Sequence, residues 1–172
     1  INSASVTFTA CIISNSTASG WGGGGLWIEY GADVTLAFCT IIDNANSGWG
    51  GGGIWITGGA TVSLAFCAIS NNHASGVGGG GFWIDDAAVV LSLTSCTVSN
   101  NIGSSAGGIH LGAGSLTLAG CAFLGNTAND LFVPPSPDFV VLSLCPRGQY
   151  NAGSGTLTCS GCTSSYPADL LD

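Results

Sequence analysis

The chain has 172 residues, of which one (Arg147) is basic and nine are acidic, and its formal net charge is −8. This balance argues against nucleic acid and anionic membranes as partners, because almost nothing in the chain could neutralise phosphate groups. No stretch approaches the ~18 unbroken apolar residues of a membrane helix, so no membrane insertion is expected. The length suits one domain with a sizeable core.

Eight cysteines are many for a cytosolic chain, and they favour an oxidising, secretory location. The triplet Asn15-Ser16-Thr17 makes Asn15 a candidate glycosylation site, although such triplets also arise by chance in Ser/Thr-rich sequence. The sequence contains no methionine and opens without a signal-peptide pattern. We therefore expect a processed segment of a longer extracellular or cell-surface protein.

A repeat runs along the chain, marked by six cysteines at intervals of 28, 28, 29, 25 and 24 residues: Cys11, Cys39, Cys67, Cys96, Cys121 and Cys145. Before each of the first five, apolar and small polar residues alternate, as in Val34-Thr35-Leu36, which is typical of a strand with one buried face. A second short strand such as Thr40-Ile41 follows the cysteine, and a third follows a glycine run. Three short strands per repeat predict an all-β fold, a parallel β-solenoid of about five coils over residues 1–144.

Four consecutive glycines stand in each of the first three repeats, at 22–25, 50–53 and 78–81. A phosphate-binding loop is disfavoured, because no helix is predicted to follow and the chain has no lysine. Flexible linkers would not recur in register. We therefore predict tight stacked turns, in which glycine permits positive φ and a close approach between coils.

Two further series recur once per repeat. Five residues after the cysteines stand asparagines (Ser16 in the first coil), whose amides are predicted to form a hydrogen-bonded ladder between coils: Asn44, Asn72, Asn101 and Asn126. The cysteines continue the inward phase of the flanking strands and are predicted to stack in the core: Cys11, Cys39, Cys67, Cys96 and Cys121. Parallel Cβ vectors converge poorly, so buried thiols are favoured over disulfides, which stay open as the alternative.

The spacing of the repeat and its strand–Asn-turn–strand pattern resemble the right-handed parallel β-helix superfamily that includes pectate lyases. The segments 23–26 (GGGL), 51–54 (GGGI) and 123–126 (FLGN) look most like the paired GGA(I/L/V) and FxxN repeats of polymorphic outer-membrane-type adhesins. In the other repeats the Phe is replaced: Ile41, Ile69 and Val98. The resemblance covers roughly residues 5 to 131 and implies the fold, whereas this fold hosts lyases, hydrolases, adhesins and structural fibres.

Residues 145–172 form a separate cysteine-rich tail. The sequence CPRGQY from Cys145, followed by Cys159-Ser160-Gly161-Cys162, resembles the start of an ephrin-receptor-like module. This resemblance implies a disulfide between Cys145 and Cys159, with Cys162 pairing with a following module. A zinc site is disfavoured because only one such CxxC pair exists and His73 and His110 lie far back in the solenoid. No metal or cofactor is expected.

Three residues at equivalent positions, Glu29, Thr57 and Asp85, are predicted to form one solvent-facing column. Glu29 and Asp85 would then lie about 9 to 10 Å apart, near the upper limit for an inverting glycosidase pair. However, a flat face lacks the cleft that raises the pKa of a general acid. Pectate lyases further require a basic residue and a calcium cluster, and Arg147 lies in the tail. A catalytic site is therefore not expected.

In Leu26-Trp27-Ile28 the two aliphatic side chains should face inward, which predicts an outward strip on successive coils: Trp27, Trp55, Trp83 and His110. Trp21 and Trp49 form a second column, continued by Val77. The strip could pack against protein, stack on sugar rings, or be covered by another part of the chain.

These features favour a non-enzymatic structural or adhesive segment of a larger extracellular protein, with assembly into a filament or surface appendage as its expected use. Its expected partners are other copies of itself, or other domains of the parent chain. Near-absence of charge removes the repulsion that usually keeps solenoid edges from pairing. The alternative is a carbohydrate-active enzyme or a glycan-binding module of the pectate-lyase-like fold.

Overall fold

The computed structural model of the chain describes residues 1–133 and 141–144. Short strands connected by turns make up this part of the chain, and no helix occurs in it. In chain order the strands are β1 (Ser5–Thr9), β2 (Ile12–Ser14), β3 (Thr17–Ala18), β4 (Leu26–Ile28), β5 (Asp33–Ala37), β6 (Thr40–Ile42), β7 (Ala45–Asn46), β8 (Ile54–Ile56), β9 (Thr61–Ala65), β10 (Ala68–Ser70), β11 (His73–Ala74), β12 (Phe82–Ile84), β13 (Val90–Thr94), β14 (Thr97–Ser99), β15 (Ile102–Gly103), β16 (Ile109–Leu111), β17 (Ser115–Ala119), β18 (Ala122–Leu124), β19 (Leu131–Phe132) and β20 (Val141–Leu144).

The strands line up in four parallel sheets, because each complete coil contributes one strand to each sheet. The first sheet is β1-β5-β9-β13-β17-β20, the second β2-β6-β10-β14-β18, the third β3-β7-β11-β15 and the fourth β4-β8-β12-β16-β19. Pairing is in register from coil to coil, so that Val34 lies between Val6 and Val62. The all-β parallel solenoid predicted from the repeat is confirmed.

The numbers of strands and coils differ from the prediction. A coil has four strands rather than three, and the solenoid has about four coils rather than five. The strand missed in each coil has only two residues, such as β7 (Ala45–Asn46), and it belongs to the third sheet. Two residues are too few to show the alternation that reveals a strand. Four coils reach this third sheet within the described residues.

The core runs as one column through the coils. In β5 the side chains of Val34 and Leu36 are wholly buried, whereas Asp33 and Thr35 point outward. Isoleucines of the second and fourth sheets, such as Ile41 and Ile56, face the same interior. Burial of each such side chain stabilises the fold by roughly 1.5–3 kcal/mol. Since a coil packs mainly on its two neighbours, this stabilisation is distributed along the axis.

Two turn positions in each coil have a left-handed backbone. The residue before the cysteine has φ between 51° and 66°: Ala10, Phe38, Phe66, Ser95 and Gly120. The residue before the ladder position has φ between 53° and 64°: Asn15, Asp43, Asn71, Asn100 and Gly125. Asn, Asp and Gly tolerate this conformation, and the second series consists only of these three residue types. A bulky phenylalanine in the first series is a rare occurrence.

The glycine runs are stacked turns, and the structure gives the reason for their composition. Gly50 has φ of 141°, a conformation that side chains of L-residues rarely adopt. A Cβ atom on Gly52 would collide with the carbonyl oxygen of Gly80 in the next coil and with the backbone of His73. The amide of Gly52 donates to the carbonyl of Gly79 at 2.9 Å, so the coils approach backbone to backbone.

The asparagines form a continuous ladder through the turn between the second and third sheets. The Nδ2 of Asn44, Asn72 and Asn101 donates to the Oδ1 of the ladder residue in the next coil at 3.0, 3.0 and 3.1 Å. The backbone amides of the same residues donate to the same oxygens at 3.0, 2.9 and 3.0 Å. The Nδ2 of Asn72 donates its second hydrogen to the carbonyl oxygen of Ile41, with 3.0 Å between the nitrogen and the oxygen. Every polar atom of this buried side chain therefore has a partner.

The cysteines stack in the turn between the first and second sheets and face the core. Cys39, Cys67 and Cys96 are at most 3% exposed and are thiols rather than disulfides. Their Sγ atoms donate to the carbonyls two residues earlier at 3.3 Å, and that of Cys121 does so at 3.6 Å: Ala37, Ala65, Thr94 and Ala119. Burial raises the pKa of the Cys39 thiol. A cysteine thus supplies a small apolar volume with a weak donor that bonds back to the preceding strand.

Asn72→Ala is expected to lower the free energy of unfolding by about 3–5 kcal/mol, because it removes the hydrogen bonds of the Asn72 side chain and leaves buried backbone and amide groups of neighbouring coils without partners. Chemical denaturation followed by circular dichroism measures the change. The exposed Thr35→Ala is the control and should change stability by less than about 0.5 kcal/mol. A loss below about 1 kcal/mol for Asn72→Ala would contradict the structural importance of the ladder.

Native-state alkylation should separate the thiols by depth. Cys11, which is half-buried in the first coil, is expected to react with iodoacetamide first, and Cys39, Cys67 and Cys96 at least about a hundredfold more slowly, because their thiols become accessible only when coils open. Peptide mapping by mass spectrometry assigns each site. Cys11→Ser provides the control by removing the fast reaction within the solenoid. Equal native reactivity of all four cysteines would show that the stack is not buried.

Candidate functional site

The fourth sheet places one aromatic ring above another on its outer side. In-register pairing of β4, β8, β12 and β16 aligns Trp27, Trp55, Trp83 and His110, and β19 adds Phe132. The centroids of successive rings are 5.3, 5.9, 5.6 and 4.8 Å apart. We call these five residues the inner aromatic column. Aromatic pairs at such distances stabilise each other beyond the burial of their area.

A second layer covers part of this column. Trp21 and Trp49, which stand just before the glycine runs, stack on each other with centroids 5.5 Å apart. Trp21 lies 5.9 Å from Trp55, and Trp49 lies 6.2 Å from Trp83. The two layers together form an aromatic surface that runs along the solenoid axis.

The prediction that the strip is exposed to solvent is therefore wrong for two of its members. Trp55 and Trp83 are only 4% and 7% exposed, and Trp27 is 40% exposed. Alternation indicated correctly that these rings lie outside the core, but it carries no information about a loop that folds back over them. The outer layer is what meets solvent, since Trp21 is 64% and Trp49 is 49% exposed.

Four buried polar atoms in or next to the strands of the fourth sheet have no hydrogen-bond partner among the described residues: Trp55 Nε1, Trp83 Nε1, Asp85 Oδ1 and His110 Nδ1. Burial is the largest influence on the Asp85 carboxyl and raises its pKa. Burial lowers the pKa of His110 to about 4. His110 is therefore neutral at physiological pH, as its position between Trp83 and Phe132 requires.

The candidate carboxylates lie in one column along the axis. Glu29, Thr57 and Asp85 follow the same position of β4, β8 and β12, so they are stacked as predicted, but all three are half-buried rather than solvent-facing. Within residues 1–133, no three His, Cys, Asp or Glu side chains are grouped so that they could hold a metal ion.

A groove of about 310 Å³ lies along the third sheet. It is lined by small and polar residues of the first three coils, with one serine from each: Thr17, Ala18, Ser19, Ala45, Asn46, Ser47 and Ser75. Ser19 and Ser47 stand two residues before Trp21 and Trp49. Sequence reasoning missed this groove because its strands are too short to recognise.

A second exposed aromatic pair was also missed. Phe38 and Phe66 stack with centroids 5.2 Å apart and planes at 6°, and they are 62% and 57% exposed. Both occupy the left-handed position before a cysteine. The equivalent residues of the other coils are small (Ala10, Ser95 and Gly120), so nothing in the repeat pattern indicated an aromatic surface there.

Of the two predicted covalent modifications, the glycosylation site lies within the described residues and the disulfide does not. Asn15 is exposed in the first turn, where its backbone amide donates to the carbonyl of Ile42 at 3.3 Å. Glycosylation of its side chain stays a prediction. The predicted disulfide between Cys145 and Cys159 and the whole tail from residue 145 lie outside the described residues.

Four in-register parallel sheets around one core, with an asparagine ladder in a turn, define a parallel β-solenoid protein. Residues 1–164 match the family described as "right handed beta helix region", and the chain belongs to this family. No curated protein and no solved structure gives a significant match to the chain. The described part of the chain holds no helix long and apolar enough to cross a membrane.

His110→Phe should reduce the loss of stability on acidification. The pKa of His110 is about 4 in the folded protein, against about 6.5 in the unfolded chain, so the unfolded state binds the extra proton and stability falls as pH drops from about 6.5 to 4. Removing this titration should recover about 1–2 kcal/mol at pH 4, after allowance for partial exposure. Thermal melts of wild type and variant from pH 7 to 4 measure it. The exposed His73→Gln is the control, and an unchanged pH profile in His110→Phe would contradict the assignment.

Proposed function

We propose that the chain is a non-enzymatic structural or adhesive segment of a larger extracellular or cell-surface protein. The observation that carries the proposal is the outer aromatic layer, in which Trp21 and Trp49 are about half or more exposed. Tryptophan is among the residues most enriched at binding hot spots. Because both rings already rest on Trp55 and Trp83, little side-chain freedom remains to be lost when a partner binds.

The use of polar side chains inside the coils supports a structural role. The ladder asparagines are saturated by hydrogen bonds to neighbouring coils, and the thiols point into the core. The carboxylates Glu29 and Asp85 are separated by the Thr57 coil and are half-buried. Two coil spacings therefore separate this pair of carboxylates along the axis.

The resemblances support an extracellular setting. The segments 23–26 and 123–126 resemble the repeats of polymorphic outer-membrane-type adhesins, which favours adhesion as the activity. The pattern from Cys145 resembles an ephrin-receptor-like module with a Cys145–Cys159 disulfide, and such modules occur in extracellular proteins. Asn15, exposed in a turn, would carry a glycan in the same compartment.

Association is proposed to be with other copies or with other domains of the parent chain. The strands β1 to β4 each form the edge of their sheet in the described structure, and Ile12 of β2 is 74% exposed. Unpaired strand edges invite pairing with similar strands. Contact between two different surfaces of a solenoid continues as a filament when it does not close on itself.

The double variant Trp21→Ser/Trp49→Ser tests the aromatic surface. We expect wild-type protein to associate with rising concentration in sedimentation velocity, and the double variant to associate at least about tenfold more weakly, equivalent to ~1.4 kcal/mol. The matched control is Phe38→Ser/Phe66→Ser, which removes the other exposed pair and should leave association unchanged. A wild-type protein that stays monomeric at high concentration would contradict assembly through this surface.

A glycan-binding module is the second candidate, and it is favoured by the groove along the third sheet, whose lining residues Ser19 and Ser47 stand two residues before Trp21 and Trp49. Indole faces stack on sugar rings, and hydroxyls such as those of Ser19 and Ser47 can fix their orientation. The same variants discriminate between the two functions. Saturable binding of a polysaccharide by a monomeric wild type, lost in Trp21→Ser/Trp49→Ser, would favour the glycan module over self-assembly.

A further inference from the structure

The outer side of the first sheet is a regular array of small, mostly hydroxyl-bearing residues. Fifteen residues of β1, β5, β9, β13 and β17 point outward in three columns: Ser5, Asp33, Thr61, Val90 and Ser115; Thr7, Thr35, Ser63, Ser92 and Thr117; Thr9, Ala37, Ala65, Thr94 and Ala119. All five residues of the central column carry a hydroxyl, and Asp33 is the one charged residue among the fifteen. We call these residues the hydroxyl face.

The hydroxyls of the central column are not engaged by the protein. Within the described residues, the side chains of Thr7, Thr35, Ser63, Ser92 and Thr117 make no hydrogen bond, unlike those of Ser3 and Ser16, which bond to backbone carbonyls. Each of these positions is exposed or half-buried. The face therefore presents a set of unused donors and acceptors at fixed places.

The spacing of this array is constant although the coils differ in length. Successive repeats between Val34 and Leu116 measure 28, 29 and 25 residues, from Val34 to Val62, Leu91 and Leu116, yet the strands of this sheet pair without any shift of register. Extra and missing residues are absorbed in other parts of the coil. Neighbouring positions of the array thus lie about 4.8 Å apart along the axis and about 6.6 Å apart, two residues on, along a strand.

The size and chemistry of the face disfavour a protein partner. The array spans about 13 Å by 19 Å between its outermost Cα positions, or roughly 400 Å² with its side chains. That is half of the ~800 Å² that each partner buries in a standard protein interface. The face also offers none of the Trp, Tyr or Arg anchors that dominate such interfaces. With a single carboxylate among fifteen residues, the face has almost no charge that could attract a charged ligand. An uncharged and repetitive partner therefore fits best.

We propose that the hydroxyl face binds the surface of ice. Oxygen atoms in the hexagonal ice lattice repeat in two directions at distances comparable to the two spacings of the array, with the closer match along the solenoid axis. A single hydroxyl has no preference for ice, because liquid water offers it the same hydrogen bonds. A rigid array gains a preference when many hydroxyls fit one lattice plane together, since their order was established when the protein folded. The methyl groups of threonine and alanine lie between the hydroxyls and add apolar contact with the same plane.

Ice-crystal shaping and inhibition of ice recrystallisation, measured with purified chain under a cold-stage microscope, test the proposal. Wild type is expected to facet growing crystals and to slow recrystallisation. Ser63→Tyr and Thr35→Tyr should each raise the concentration needed by at least about tenfold, because one protruding ring holds the face away from the lattice. Ser63→Thr, which keeps the hydroxyl, should retain activity. The matched control Thr40→Tyr places the same ring on the second sheet, in the coil that holds Thr35, and should leave the activity on ice unchanged.

Three results would overturn the proposal: no effect of wild type on ice at millimolar concentration, equal activity of the tyrosine variants on the face, or equal loss in Thr40→Tyr. Circular dichroism and melting temperature confirm that each variant is folded before it is compared. The proposal is independent of the aromatic surface, so Trp21→Ser/Trp49→Ser should keep full activity on ice. Loss of ice activity in that variant would place the binding surface elsewhere.

Discussion

In-register stacking of coils is the constraint on which every other feature of this protein depends. A coil has too little apolar surface to be stable alone, so its side chains must meet equivalent side chains above and below. Asparagine on asparagine, thiol on thiol and indole on indole are consequences of this one rule. The rule also explains the glycine runs, because at Gly52 the backbone of the next coil occupies the space that a side chain would need.

Stacking turns a one-dimensional repeat into surfaces of different chemistry. One outer side carries aromatic rings in two layers, and another carries an array of hydroxyls with almost no charge. The turns between the first and second sheets hold costly conformations, above all Phe38 and Phe66 at positive φ, where Gly120 serves in another coil. A bulky side chain in this conformation costs of order 1 kcal/mol, and both rings are exposed, so they add little to the core in return.

The sequence was sufficient to predict the solenoid because each core strand shows alternation and recurs at a nearly fixed interval, as Val34 and Val62 do. The ladder asparagines were recognisable for the same reason. The third sheet was not, since strands of two residues such as Ala45–Asn46 leave no periodic signal. The burial of Trp55 depends on Trp21, which is distant in sequence and folds back over it. Alternation reports the side of a sheet and says nothing about what covers that side.

Residue-resolved hydrogen exchange of the ladder amides tests the stacking rule most directly. The backbone amides of Asn44, Asn72 and Asn101 lie in turns, and their partners are side-chain oxygens of the next coil, at 3.0, 2.9 and 3.0 Å. If the coils stack in register, these amides should exchange on the order of a thousandfold more slowly than an unstructured peptide, with similar rates because they open together. Exchange of the three amides at the rate of an unstructured peptide, while the strands stay protected, would contradict the account.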